Sequence, residues 1–158
     1  MKSISLIIVL FLMSASFTTL HAQRLEKSEV PENVQKAFKK NHPGAFPYDW
    51  KYAKKKKTYK AYYISNGMKF KSYFITNGDW MNAKTKLDKT EIPQTIWEHY
   101  SKSEWVDWKI SKTQLRLTPD CGKIYIINVK KGKKSTKEKV KLYYDENGKF
   151  MKNTHKKY

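Results

Sequence analysis

The sequence predicts an α+β protein made of two tandem modules, each with one helix packed on a four-stranded antiparallel sheet. Three observations predict this class. A short helical motif that starts with Val-Pro or Ile-Pro occurs twice, at residues 30–34 and 92–96. A hairpin motif around Asn-Gly also occurs twice, at residues 74–80 and 144–150. Between the two motifs, apolar and polar residues alternate with the period of strands that bury one face.

Residues 1–22 have the pattern of a secretory signal peptide. A lysine near the start is followed at residues 4–13 by an apolar run, shorter than the ~20 residues that span a bilayer. We expect cleavage after Ala22; cleavage nearer Ala15 and an uncleaved N-terminal anchor are the alternatives. No later apolar run of the sequence is long enough to span a membrane. The sequence therefore predicts a periplasmic or secreted protein, and residues 23–29 are interpreted as a linker.

Each module, at residues 30–90 and 91–158, is predicted to open with a helix. Pro31 fits the first helical position, where its missing N–H leaves no hydrogen bond unmade. The sequence Asn-His-Pro-Gly at residues 41–44 ends the first helix. Apolar residues recur at helical spacing and form one stripe per helix, which we expect to face the sheet. The stripes consist of Val30, Val34, Ala37 and Phe38 in the first module and of Ile92, Ile96 and Tyr100 in the second.

Four strands are predicted after each helix. The first strand has an aromatic residue at every second position from 46 to 52, which predicts one buried face. Asn-Gly pairs at residues 66–67, 77–78 and 147–148 predict tight hairpins of the primed type, in which both central residues have positive φ. The predicted strands cover residues 46–52, 59–64, 68–75 and 80–86, and then 105–112 with a possible extension at 114–118, 124–130, 139–144 and 149–155.

Stability must come from packing, because Cys121 is the only cysteine and cannot form an internal disulfide. We interpret it as a free thiol, with pairing to another chain as the alternative. A module of ~60 residues buries only about 60% of its unfolded surface and is marginally stable alone. We therefore expect the two modules to pack together or to extend one sheet.

The protein is strongly basic, with a formal net charge of +19. Arg24 and Arg116 are the only arginines among its 33 basic residues. Lysine is a hydrated point charge without the planar fork of arginine, so this composition favours loose attraction to anionic surfaces over the reading of a base sequence. No specific nucleic-acid partner is predicted. A lysine-rich solvated surface without a ligand is the alternative interpretation.

The motifs, taken together, resemble those of a known family. They are the Val-Pro-x-x-Val-x-x-Ala-Phe helix at residues 30–38, the His-Pro-Gly stop at 42–44, the aromatic strands, and Asp-x-Asn-Gly-Lys-Phe at 145–150. Their order over residues 28–155 is similar to the PepSY-like, β-lactamase-inhibitor-like domain family of exported bacterial proteins, common in the Bacteroidetes. The resemblance implies a helix laid over an antiparallel sheet, twice, and no catalytic activity. No inhibitor contact residue transfers to this sequence, so the resemblance does not imply inhibition of a β-lactamase.

No arrangement of residues in the sequence predicts catalysis or metal binding. The three histidines after the predicted signal peptide, His42, His99 and His155, lack a cysteine, aspartate or histidine at the spacing of a zinc site. The sequence has no Gly-x-Ser-x-Gly elbow, and Cys121 has no evident activating neighbour. We therefore expect a protein that is not an enzyme and needs no metal or cofactor.

Two lysine clusters and one tryptophan are the predicted ligand-binding residues. They are Lys54, Lys55, Lys56 and Lys57, then Lys130, Lys131, Lys133 and Lys134, and Trp97 beside the second helical stripe. Both clusters fall in predicted loops, where they favour contact with an anionic surface or polymer. Lysines that keep these loops soluble and protect the sheet edges are the alternative.

The sequence thus predicts an exported, non-enzymatic binding or inhibitor-like interaction module that uses one sheet face or the groove between the modules. The alternative is a polyanion or cell-surface binder that uses the lysine-rich loops. The expected partner is an unknown protein or an anionic polymer of the cell envelope.

Overall fold

The computed structural model describes residues 23–133 and 137–157, so the predicted signal peptide at residues 1–22 and the predicted site residue Lys134 lie outside the described residues. Within those residues, nine antiparallel strands form one sheet in the order of the chain. The strands are β1 (Gln23–Leu25), β2 (Pro47–Ala53), β3 (Thr58–Ser65), β4 (Met68–Ile75), β5 (Trp80–Leu87), β6 (Lys109–Thr118), β7 (Gly122–Lys131), β8 (Glu138–Asp145) and β9 (Phe150–Lys157). The helices are α1 (Glu32–Asn41) and α2 (Gln94–Ser101), and 3-10 turns cover Lys27–Glu29, Lys54–Lys56 and Lys89–Glu91. The strand β1 and the first 3-10 turn occupy the residues that were interpreted as a linker.

The prediction of two tandem modules, each with its own four-stranded sheet, is wrong. Strand β5 pairs with β6, with Ala83 opposite Leu117 and Leu87 opposite Thr113, so one sheet runs through both halves of the chain. The Thr113 hydroxyl also donates a buried hydrogen bond to the Leu87 carbonyl, at 2.6 Å. Two separate sheets would each expose an edge here, with unpaired N–H and C=O groups. Pairing removes both edges and joins two halves in the size range that, alone, buries only about 60% of its unfolded surface.

Both helices pack on the same face of the sheet and close one hydrophobic core. Phe38 of α1 contacts three aromatic rings, one each from β2, β3 and β4, at centroid distances of 5.3 to 6.2 Å. Ile96 and Tyr100 of α2 belong to the same core cluster, together with Val129 and Leu142 of the later strands. Because both helices lie on one face, neither of them covers the opposite face of the sheet.

Two strands begin later than the sequence predicts. Phe46 precedes β2 and is 84% exposed, because a bulge at Tyr48 shifts the register between β2 and β3. Only part of the predicted aromatic stripe is therefore buried. Strand β6 starts at Lys109 and not at Trp105. The Tyr100 hydroxyl donates to the Trp105 carbonyl at 3.0 Å and helps to hold this segment in a turn.

The Asn-Gly hairpins are of two kinds. Asn66 and Gly67 have φ values of 48° and 73°, which is the predicted primed geometry. At the other two pairs only the glycine has positive φ, at 96° and 83°. There the glycine N–H donates to the carbonyl three residues earlier, and the register shifts at the start of the next strand. The prediction of primed turns at Asn77 and Asn147 is wrong, because the bulge moves the left-handed position to the glycine alone.

His42 follows α1 and is buried, with 7% of its surface exposed. Its Nε2 lies 2.8 Å from Ser72 Oγ, and its Nδ1 lies 3.1 Å from the Tyr63 hydroxyl. Trp80 Nε1 donates to the same Ser72 hydroxyl at 2.9 Å. Burial lowers the pKa of His42 to about 4, so the imidazole is neutral at neutral pH. This buried polar network supports a structural role for the histidine.

Candidate functional site

The face of the sheet opposite the helices carries a field of cationic side chains. Residues that alternate with the buried core positions of a strand point to this face. On β5, for example, Lys84 lies between Ala83 and Thr85, which are both buried. We call seven neighbouring cations at such positions the lysine face: Lys60, Lys71, Lys84, Lys86, Lys112, Arg116 and Lys141.

The centre of the lysine face is a row of three cations on adjacent strands. Lys71 of β4 lies directly opposite Lys84 of β5, and Lys84 lies directly opposite Arg116 of β6. Directly opposed residues have Cβ atoms about 4.5–5.5 Å apart, and like charges at that spacing destabilise a sheet. The fold therefore holds this row together against electrostatic repulsion, which a bound anion would relieve.

Burial and the crowding of positive charges lower the pKa values of three lysines on this face. Burial lowers the pKa of Lys84, and four neighbouring cations, from β6, β8 and the 3-10 turn before β3, lower it further. Burial and then the positive charge of Lys71 lower the pKa of Lys60. Burial and then the charge of Lys86 lower the pKa of Lys112. An anion bound on this face would raise all three pKa values, because it would stabilise the charged form of each lysine.

Carboxylates do not neutralise this face. Within residues 23–133 and 137–157, no carboxylate forms an ion pair with a member of the lysine face. Asp49, at the edge of the same face, pairs with Arg24 and Lys51. The Asp145 carboxylate accepts hydrogen bonds from backbone N–H groups of its own turn. The described part of the lysine face therefore has no internal counter-charge.

Tyrosine rings lie among the cations and hold them close to the sheet. Three rings each carry a cation at 4.8 to 5.7 Å from the ring centroid. The pairs are Lys71 over Tyr62, Lys84 over Tyr73, and Arg116 over Tyr143. Such cation–π contacts position the charged groups that would otherwise move freely in solvent. A shallow groove of about 460 Å³ runs along this part of the face, lined by Tyr62, Lys71, Tyr73, Lys84, Lys86, Lys112 and Gln114 among others.

Two amide side chains accompany the central row. Asn82 lies two residues before Lys84 on β5, and Gln114 lies two residues before Arg116 on β6. Neither amide group has a hydrogen bond to another residue that the structure describes. Asn82 Oδ1 and Arg116 Nε are also buried without a partner among those residues. The centre of the face thus combines positive charge with unused hydrogen-bonding capacity.

The two lysine clusters predicted from the sequence lie at opposite ends of the sheet. Lys54–Lys56 form the 3-10 turn between β2 and β3, and Lys57 follows with a φ of 48°. Lys130 and Lys131 end β7, and Lys133 follows beside an open depression of about 410 Å³. Because successive strands alternate in direction, the β2–β3 and β7–β8 connections fall at opposite ends. The structure therefore does not bring the clusters together, and the lysine face lies between them.

Trp97, the third predicted site, lies on the helical side of the sheet. It is partly buried against the core, and its Nε1 donates to the Lys89 carbonyl at 3.2 Å. Its ring meets Tyr100 edge-on at a centroid distance of 5.6 Å. The sheet separates Trp97 from the lysine face, so the structure does not combine them into one site.

Sequence reasoning missed the lysine face, although part of its signal is present. Lysines occupy alternate positions at residues 69 and 71, 84 and 86, and 139 and 141. This spacing places both lysines of a pair on the same face of a strand. Their assembly into one field depends on which strands are neighbours and in what register, and the runs of consecutive lysines in the loops were the more conspicuous local feature.

Other kinds of site are not seen in the part of the chain that the structure describes. There, no group of three or more histidine, cysteine, aspartate or glutamate side chains is arranged to hold a metal ion. No helix in that part is long and apolar enough to cross a membrane. Cys121 is exposed as a free thiol in the turn between β6 and β7.

No family model and no curated protein matches this chain, but solved structures share its fold. A BLIP-like protein from Bacteroides fragilis NCTC 9343 has a TM-score of 0.67 at 22% identity, covering 79% of this chain and 85% of that one. A DUF2874 family protein from Bacteroides ovatus ATCC 8483 has a TM-score of 0.65 at 25% identity, covering 79% and 86%. A Bacteroides eggerthii DSM 20697 protein, provisionally named as periplasmic, has a TM-score of 0.61 at 24% identity, covering 80% and 88%.

These likenesses define the class of protein by its fold. The chain shares the fold of BLIP-like and DUF2874 proteins of Bacteroides. The predicted resemblance to β-lactamase-inhibitor-like proteins is confirmed as a likeness of fold, and its PepSY-like part stays a prediction. The names of the neighbours fit a bacterial protein and give weak support to an exported location.

Proposed function

We propose that the chain is an exported, non-enzymatic binding protein whose lysine face binds an anionic partner. The observation that carries this proposal is the row of Lys71, Lys84 and Arg116, which lies across three strands without a paired carboxylate among the described residues. Repulsion within this row opposes folding, and a bound anion offsets it. A ligand of this kind should therefore stabilise the folded state by binding it in preference to the unfolded chain.

Binding without catalysis fits the chemistry of this face. Ammonium, guanidinium and amide groups bind anions, whereas covalent catalysis needs a nucleophile within reach of a base. A serine and a histidine do meet in this fold, at Ser72 and His42, but they are 0% and 7% exposed on the helical side of the sheet. A substrate on the lysine face has no access to them.

Export is supported by the signal-peptide pattern of residues 1–22 and by the structural neighbour that is provisionally named as periplasmic. An exported protein meets the anionic polymers of the cell envelope. These polymers are the partners that the charge of the face fits best.

The two predicted lysine clusters extend the anion-binding surface at its ends. Lys56 of the first cluster is near enough to lower the pKa of both Lys60 and Lys84. Clustered charge of one sign attracts an oppositely charged partner over several ångströms before contact. In this proposal the clusters guide the partner, and the lysine face holds it.

The test is binding of the mature protein to dextran sulfate, a linear polyanion, over a range of salt concentrations. We expect the logarithm of the affinity to fall linearly with the logarithm of the salt concentration, because binding releases counterions. The triple variant Lys71→Gln, Lys84→Gln and Lys112→Gln should bind more weakly. Its slope should be shallower by about 2–3, because each of the three lost contacts contributes about 0.7–0.9.

A matched variant separates a site from general charge. Lys39→Gln, Lys40→Gln and Lys102→Gln remove the same charge from exposed positions of the helical side. We expect this variant to keep most of the slope and affinity. If it loses as much affinity as the lysine-face variant, the lysines act as a diffuse field and the proposal is wrong.

An inhibitor-like protein-interaction module is the second candidate. Phe46, Tyr48 and Ile64 are 84%, 55% and 52% exposed near the same end of β2 and β3, and one structural neighbour is named BLIP-like. Apolar contacts weaken little with salt, whereas contacts between exposed charges are screened. An envelope protein bound this way should stay bound to the lysine-face variant at high salt and be lost from a Phe46→Ser, Ile64→Ser variant.

A further inference from the structure

We infer that the cross-strand pair of Lys84 and Arg116, with the residues on either side of it, forms a subsite for an acidic sugar. The anionic partner is then an acidic polysaccharide. This inference rests on the proposed function and names the ligand class of the same face. It is carried by the arrangement of cations, amides and tyrosines at the centre of the face.

The geometry places one amide side chain on each side of the Lys84–Arg116 pair. Lys84 and Arg116 are directly opposed on antiparallel strands, and Lys86 is opposed to Gln114. Asn82 precedes Lys84 by two residues, so the two amides lie on opposite sides of the Lys84–Arg116 pair along the strands. One amide, the pair of cations and the second amide therefore follow one another along the neighbouring strands β5 and β6.

This order of groups defines what a ligand must supply. Lys84 and the planar guanidinium of Arg116 bind a carboxylate or sulfate group. Gln114 offers a donor and an acceptor, whereas Asn82 offers only its Nδ2 donor because its Oδ1 is buried; no other described residue uses these groups. A sugar ring that carries one anionic group between hydroxyl groups matches both requirements.

The tyrosines argue against nucleic acid as the partner. Proteins bind single strands by stacking bases on exposed aromatic rings. Here Tyr62 lies under Lys51 and Lys71, Tyr73 under Lys84, and Tyr143 under Arg116 and Lys152. The cations occupy the rings on which bases would stack.

The lysine content argues against an acidic protein as the partner. Lysine is depleted from the buried centres of protein–protein interfaces, because burying it is costly. The central row instead suits a thin chain that leaves the ammonium groups partly solvated. From Lys71 to Arg116 the row spans two strand spacings, about 10 Å, which a linear polymer can cross while contacting each cation.

The test compares the mature protein's affinity for several polyanions at one salt concentration, with polygalacturonate and polyglutamate as the pair that each carry one carboxylate per monomer. The probes are polygalacturonate, dextran sulfate, polyglutamate and single-stranded poly-dT, with uncharged dextran as the blank. We expect one or both acidic glycans to bind about tenfold more tightly than polyglutamate or poly-dT. The comparison of the two glycans shows whether the anionic group is a carboxylate or a sulfate.

Amide variants test the sugar contacts without changing charge. Gln114→Ala and Asn82→Ala should each weaken glycan binding by about fivefold, as expected for the loss of one hydrogen bond, and leave the salt slope unchanged. They should leave polyglutamate binding unchanged. Gln94→Ala, at an exposed position of α2, is the matched control and should change neither affinity.

The outcomes separate this inference from the proposed function. If polyglutamate binds as tightly as the glycans, or if neither amide variant weakens glycan binding, the sugar subsite is wrong and anion binding stands. If poly-dT binds most tightly, the partner is a nucleic acid and the inference is wrong. If no polyanion is bound more tightly by the wild type than by the lysine-face variant, the proposed function itself is wrong.

Discussion

At the residue scale, burial of His42 makes the stability of the fold depend on pH. The ordinary histidine pKa of 6.5 applies to the unfolded chain, whereas the pKa in the fold is about 4. The folded state therefore binds fewer protons than the unfolded state between these values, and stability rises with pH there. The contribution of neutral His42 is complete above pH 6.5 and is lost as the pH falls towards 4.

We expect the free energy of unfolding of the mature protein to decline by about 2–3 kcal/mol between pH ~7 and pH ~4 because of His42, at about 1.4 kcal/mol per pKa unit. Urea unfolding followed by tryptophan fluorescence measures it. The control is His42→Gln, which keeps a polar group near Ser72 and does not titrate in this range. The difference between the two proteins isolates the histidine from other acid effects. Parallel declines would show that His42 is not responsible.

Single residues could be predicted from sequence where local periodicity decides their environment. Phe38 and Tyr100 were assigned to the helical stripes, and they are 2% and 6% exposed. Trp97 and the runs of lysine are equally local features, yet they do not define the central site. Lys71 and Arg116 flank Lys84 only because of strand order and register, which no local window of sequence contains.

At the element scale, two hairpin turns also support the helices. A Cβ atom at Gly78 would lie 3.1 Å from the Asn33 carbonyl oxygen, and one at Gly148 would lie 2.8 Å from Thr95 Oγ1. The Asn33 amide also donates to the Thr76 carbonyl at 3.2 Å. The sequence predicted where these turns fall, but not their type. A bulge and a close approach to a helix decide the type, and both are tertiary features.

Alanine substitutions should separate the turn from its contact with α2. Gly67→Ala and Gly148→Ala both place a side chain at positive φ, 73° and 83°, which costs about 1–2 kcal/mol. Nothing lies within 4 Å of a Cβ at Gly67, whereas Gly148 approaches Thr95. We expect Gly148→Ala to lose a further ~1–3 kcal/mol from overpacking. Thermal unfolding of both variants measures this, and equal losses would show that the β8–β9 turn moves aside without cost.

At the scale of the whole molecule, one sheet and one core join the two halves. The sequence indicates a helix and then four strands in each half, but strand patterns do not show whether β5 stands at an edge or pairs with β6. Leu87 and Leu115 of these strands lie in the same core cluster as Val34 of α1 and Ile96 of α2. Separating the halves would expose this shared surface and leave two unpaired strand edges.

We therefore expect fragments 23–90 and 91–158, expressed separately, not to unfold cooperatively near the temperature of the intact mature protein. Each fragment is in the size range that buries only about 60% of its unfolded surface, and no disulfide can compensate. Each also loses the β5–β6 ladder and the buried bond from Thr113 to the Leu87 carbonyl. Circular dichroism of each fragment, and of the two mixed, measures this.

If the ladder accounts for the instability, mixing should restore a cooperative transition, because the ladder then forms between chains. A cooperative transition in either fragment alone, close to that of the intact chain, would show that the halves are independent domains that only touch.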